Sequence, residues 1–122
     1  MVKLFRKVDQ VFTPTNGAAV LGLVNSSYSQ GLGGGIGTFE DVHSEWTVTY
    51  DEILFILDGT LTLGVGDEDY VAGPGDTLWI PKDTALVYKT DAKVTFFFAV
   101  CPSTESPSAS KHIDFPTAGP SD

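Results

Sequence analysis

Trp46-Thr47-Val48-Thr49-Tyr50-Asp51-Glu52-Ile53-Leu54-Phe55-Ile56-Leu57-Asp58-Gly59-Thr60-Leu61 is rich in β-branched and aromatic residues and contains no proline. It runs into Asp58-Gly59, a pair suited to the tight reversal between antiparallel strands. The pattern predicts a strand over 46–57. Side chains alternate between the faces of a strand, so Trp46, Val48, Tyr50, Glu52, Leu54 and Ile56 share one face. Thr47, Thr49, Asp51, Phe55 and Leu57 take the other. One carboxylate on a largely apolar face makes Glu52 the first candidate for chemistry. Apolar Phe55 and Leu57 opposite it predict that both faces are covered.

Downstream, short apolar runs at about 60–65, 69–71, 77–80, 84–89 and 93–100 predict further strands. Turn residues separate them: Gly66-Asp67, Gly73-Pro74-Gly75-Asp76, Lys82-Asp83 and Asp91-Ala92. Upstream, Ala18–Val24 reads as a strand, the mixed segment Val2–Phe12 as a short one, and Ser26–Gly35 as a loop or bulged strand. The Gly33-Gly34-Gly35 run is no dinucleotide fingerprint, because no helical pattern follows; it suits a flexible loop or a close approach of backbones. Many short strands with no helical period predict an all-β sandwich or barrel. The expected organisation is a β-barrel with an N-terminal strand over residues 1–101, then a Ser/Pro-rich tail over 102–122.

Lys and Arg number 7 against 16 Asp and Glu, a formal charge of −9. That balance argues against nucleic acid and anionic membrane surfaces as partners, since both need a basic footprint. Cys101 is the single cysteine, so no disulfide forms within the chain. With neither an apolar leader nor an apolar run long enough to span a bilayer, the expected location is the cytoplasm.

The acid, six residues and glycine from Glu52 to Gly59 resemble the end of the first cupin motif. Pro74-Gly75-Asp76 followed by Ile80-Pro81 resembles the second. The resemblance implies a single-domain cupin, a double-stranded β-helix or jelly-roll barrel, with Glu52 pointing inward. It also exposes a departure. Where metal-binding cupins carry paired histidines before the acid, this chain has Trp46 and Val48, or Glu45 and Thr47 at the longer gap. Where the second motif supplies another histidine it has Ala85 or Leu86. A carboxylate with an indole and a valine is no transition-metal donor set, so neither metal nor other cofactor is expected. Trp46 to Glu52, Gly59-Thr60-Leu61 and Gly73 to Lys82 are together similar to the cupin domain of the ethanolamine-utilisation EutQ family. Over roughly residues 30 to 101 that similarity implies a cytoplasmic dimer lacking the usual metal. The family is linked to acetate kinase activity and to bacterial microcompartments; this chain carries no phosphate-binding P-loop.

The expected function is binding of a small polar carbonyl or carboxylate compound inside the barrel, with a metal-independent isomerisation or elimination step. Glu52 is the candidate base, because burial raises a carboxyl pKa. Tyr50 orients it or donates to a substrate oxygen. Glu40, if it faces inward, forms a carboxylate pair with Glu52. Trp46 is a stacking wall, His43 a group at the barrel mouth, and Lys89 an interior cation if Ala85 and Val87 face inward. Each has a structural alternative: Glu52 a satisfied buried acid, Tyr50 and Trp46 plain core, Glu40, His43 and Lys89 solvated surface. The alternative functions are a metal-dependent lyase or oxygenase with Glu40, His43 and Glu52 as atypical ligands, and a non-catalytic binding or assembly protein. The expected partners are a small-molecule ligand and, to cover Phe55 and Leu57, a second copy of the chain.

Overall fold

The computed structural model describes residues 2–103. Nine strands follow in chain order: β1 (Ala18–Val24), β2 (Gly33–Phe39), β3 (Val42–Thr47), β4 (Asp51–Asp58), β5 (Leu61–Val65), β6 (Glu68–Ala72), β7 (Thr77–Ile80), β8 (Ala85–Thr90) and β9 (Val94–Cys101). They form two antiparallel sheets, one ordered β1-β2-β9-β4-β7 and the other β3-β8-β5-β6. Between the inner faces lies an apolar core that includes Phe39, Leu54, Ile56, Leu61, Ile80, Val94 and Phe96. This is the expected all-β jelly roll.

The strand expected over 46–57 is two strands in different sheets. β3 ends at Thr47, the chain bends at Thr49 and Tyr50, and β4 starts at Asp51. The Val48 amide donates to the Thr84 carbonyl and Val48 accepts from the Asp83 amide, so the corner is stitched to the β7–β8 turn. The alternation nevertheless carries through the bend. Val48, Tyr50, Glu52, Leu54 and Ile56 are buried, while Ile53, Phe55 and Leu57 are exposed on the outer face. The segment expected as an N-terminal strand forms none; its only regular element is a 3-10 turn at Lys7–Asp9.

The glycine run is likewise a strand, the start of β2, between β1 and β9. Close approach is the reason for its composition. The Phe96 ring lies against the bare backbone of Gly37, where an added Cβ would stand 2.3 Å from Cζ. At Gly35 the same atom would stand 2.1 Å from the Leu21 carbonyl oxygen. Gly59 takes φ +83° in the β4–β5 turn, a left-handed conformation that glycine adopts without steric cost. The expected Ser/Pro-rich tail lies, beyond Ser103, outside the described residues.

Candidate functional site inside the barrel

β4 is paired on both sides, with Glu52 opposite Ile80 of β7 and Val100 of β9. These apolar neighbours leave Glu52 only 1% exposed, and neither carboxylate oxygen has a hydrogen-bond partner within the described residues. Removing a carboxylate from water without a compensating partner disfavours its charged form. Burial accordingly raises the Glu52 pKa from 4.5 to about 8.

Two phenols share the core with this acid, and an indole is hydrogen-bonded to one of them. Tyr50, at the corner between β3 and β4, is buried, and burial first, then the charge of Glu52, raise its hydroxyl pKa; a side-chain hydrogen bond with Trp46 acts in the opposite direction. Trp46 is partly buried and packs against the core. Tyr88 approaches from the other sheet. It is fully buried on β8, opposite Ser44 of β3 and Leu63 of β5. Its pKa is pushed well up, chiefly by burial, then by the charges of Glu52 and Tyr50. Both phenols therefore remain hydroxyls, and hydrogen-bond donors, when Glu52 ionises.

Of the six candidate residues, the structure gathers Glu52, Tyr50 and Trp46 and leaves three elsewhere. Glu40 is exposed in the β2–β3 turn, its amide donating to the Gly17 carbonyl. It does not pair with Glu52. His43 is exposed on β3, because Val42 and Ser44 take the inner face. The alternative ligand set of Glu40, His43 and Glu52 thus does not converge, and among the described residues no three His, Cys, Asp or Glu side chains are placed to hold a metal. One buried carboxylate among phenols and an indole does not fit the divalent metal of metal-binding cupins.

Lys89 also departs from the expectation. On β8 it is Leu86, Tyr88 and Thr90 that are buried, which sends Ala85, Val87 and Lys89 outward. The Lys89 side chain crosses Gly64 of β5 to reach Asp69 of β6, with Nζ 3.0 Å from the carboxylate. A charged residue at one end of an alternating strand sets its phase, and that signal was present in the sequence. Read that way, Leu86-x-Tyr88-x-Thr90 is the inward series and brings Tyr88 into the site. The same rule applied to Val42-Ser44-Trp46 brings in Ser44, which is 2% exposed.

Similar structures define the class of barrel. The chain matches the KdgF structure from Halomonas sp. with a TM-score of 0.74 at 13% identity, covering 86% of this chain and 97% of that one. It matches ectoine synthase from P. lautus with a TM-score of 0.79 at 13% identity, covering 92% and 85%. With the two-sheet topology, these likenesses make the fold a cupin jelly roll. The family follows from the sequence: the model of the ethanolamine utilisation protein EutQ family matches residues 2–106, and the chain belongs to that family. The EutQ structure from Salmonella typhimurium superposes with a TM-score of 0.78 at 25% identity, covering 84% of this chain and 88% of that one. Acetate kinase EutQ of Escherichia coli is 28% identical over 81 residues, which are 66% of this chain and 35% of that protein. Over 72 residues the Clostridioides difficile protein of that name is 28% identical, covering 59% of this chain and 46% of its own length. The chain thus spans less than half the length of these curated relatives.

Among the described residues no helix is long and apolar enough to cross a membrane.

Proposed function

We propose that the barrel interior binds a small, uncharged carbonyl compound and that Glu52 moves a proton on it without a metal. The observation that carries this reading is the buried Glu52 carboxyl with neither oxygen hydrogen-bonded within the described residues. A buried acid with no partner is costly to retain for structure alone. It suits a general base, whose pKa should lie near the working pH. Ionised Glu52 removes a proton from the carbon beside the carbonyl, and the electron pair moves onto the carbonyl oxygen. Tyr50 or Tyr88 donates a hydrogen bond to that oxygen. In a β,γ-unsaturated compound, returning the proton to the γ carbon completes an isomerisation. Where the β carbon carries a leaving group, the enolate electrons form the Cα–Cβ double bond as that group departs with its bonding pair, completing an elimination. Of the two ligand classes expected from the sequence, the carbonyl is favoured, because Lys89 is held by Asp69 outside the barrel and offers a carboxylate no interior counter-charge.

The kinase activity in the names of the curated relatives belongs to proteins more than twice the length of the matched segment. A soluble cytoplasmic homodimer is the setting we propose. Its support is family membership and the apolar outer row of Ile36, Phe97 and Phe55 on three adjacent strands.

The test is Glu52→Gln. Thermal-shift screening of the unaltered protein with small ketones and aldehydes should find a stabilising ligand, and the variant should keep its fold while losing solvent-deuterium exchange into that ligand. Unchanged exchange in the variant would sink the assignment.

A further inference from the structure

β6 and β7 are the last strands of their respective sheets, and no ladder joins them. A cavity of about 390 Å³ opens there on the flank of the barrel. Leu63, Val65, Leu78 and Ile80 line it, with Tyr70 and Trp79 also contributing, and no charged side chain is among its walls. Trp79 is 62% exposed and Ile80 1%, so the lining runs from solvent to core. Two of the inner wall residues have particular neighbours: Ile80 is the ladder partner of Glu52, and Leu63 that of Tyr88. The cavity wall thus includes the direct strand neighbours of the two groups from opposite sheets that carry the buried polar chemistry, though neither group is itself among its lining.

We propose that this flank cavity holds the hydrocarbon tail of the ligand, whose carbonyl head reaches Glu52 and Tyr88 past Ile80 and Leu63. The inference rests on the reading of Glu52 given above and narrows the ligand class to uncharged carbonyl compounds with an aliphatic or aryl tail. Walls that are largely apolar, Thr77 and Thr84 aside, and the absence of charge favour a hydrocarbon over a carboxylate. The volume lies within the range of ordinary small-molecule sites. Trp79 and Tyr70 present aromatic surface to the tail.

The straight-chain 2-alkanones from butanone to nonanone provide the test, with dissociation constants measured by calorimetry on the full chain. Burying each added methylene should tighten binding about fourfold until the cavity is full. Val65→Trp fills the cavity from the β5 end and should abolish that dependence. If Val65→Trp fails to fold, Trp79→Ala, at an exposed position, should flatten the dependence for the longer members. No binding by any alkanone at millimolar concentration, or a length dependence unaltered in the folded variants, overturns the proposal. The Glu52 reading fails separately: affinities that rise with chain length but are unaltered by Glu52→Gln, with no movement of the Glu52 carboxyl NMR signal on binding, keep the cavity as a hydrocarbon site and remove Glu52 from it. The reverse pattern, binding that moves the Glu52 signal and weakens in Glu52→Gln but has an affinity independent of chain length, keeps the base and removes the cavity.

Discussion

Glu52 on the five-stranded sheet and Tyr88 on the four-stranded sheet point into the same core from opposite sides, and the charge of one raises the pKa of the other. A carboxyl and a phenol so placed share one low-dielectric space with little water to screen them, so what one group does is felt by the other.

The first consequence is a stability profile set by Glu52. Its pKa is 4.5 when solvated and about 8 in the fold, so the folded state holds its proton over a range where the unfolded chain has lost it. Stability is therefore greatest below the unfolded value, falls as pH rises through that window, and levels off above the folded pKa. The slope should approach about 1.4 kcal/mol per pH unit within the window. Urea unfolding at a series of pH values should show it, and Glu52→Gln should flatten it.

Gly37 should resist substitution where Gly22 does not. An alanine methyl at Gly37 meets the Phe96 ring, which is fully buried and in ring contact with Phe39 and Phe98. Gly37→Ala should cost about 1–3 kcal/mol through overpacking. At Gly22 nothing stands within 4 Å of the added atom, so Gly22→Ala should change chemical-denaturation midpoints little.

Lys89→Ala removes an ion pair whose acid partner is exposed. It should cost less than about 1 kcal/mol, and salt should shrink even that. Binding of an uncharged carbonyl ligand should be untouched. A large loss of affinity on calorimetric titration would mean that Lys89 serves the site after all.

The outer row predicts self-association. Ile36, Phe97 and Phe55 stand side by side on β2, β9 and β4, and Phe97 and Phe55 are 42% and 38% exposed. Light scattering should give twice the chain mass of 13.0 kDa. Replacing Phe55 and Phe97 together by lysine should give a monomer with the barrel intact by circular dichroism.

Strand existence was legible in the residues because alternation and turn chemistry are local. Asp58-Gly59, Gly66-Asp67 and Lys82-Asp83 all fall at strand ends. The break between β3 and β4 was not, because Thr49 and Tyr50 favour extended backbone as well as a bend, and only the contacts of Val48 with Asp83 and Thr84 decide between them. Glycine composition hid β2, since its strand character comes from neighbours packing onto bare backbone rather than from its own side chains. Within the site, Glu52 and Tyr50 follow from strand phase. Glu40 and His43 sit across a turn where Asp41 adopts φ +56°, and counting residues through such a turn does not transmit the phase. Lys89 differs: its charge sets the phase of β8, with Leu86, Tyr88 and Thr90 inward and Ala85, Val87 and Lys89 outward.

The order of the five-stranded sheet has a consequence for how the chain is made. β9 is the last of the described strands to be synthesised, yet it lies in the middle, joining β2 on one side to β4 on the other. Until it arrives, β1-β2 and β4-β7 are two separate pairs with no ladder between them, and Glu52 lacks Val100 on one flank. A chain ending at Lys93 would lack the partner strand of both β2 and β4, leaving an open sheet edge on each half and Glu52 without Val100. Insertion of β9 closes both edges and completes the burial of the acid. Such late, long-range closure makes folding slow and leaves the unfinished chain prone to pairing with others like it.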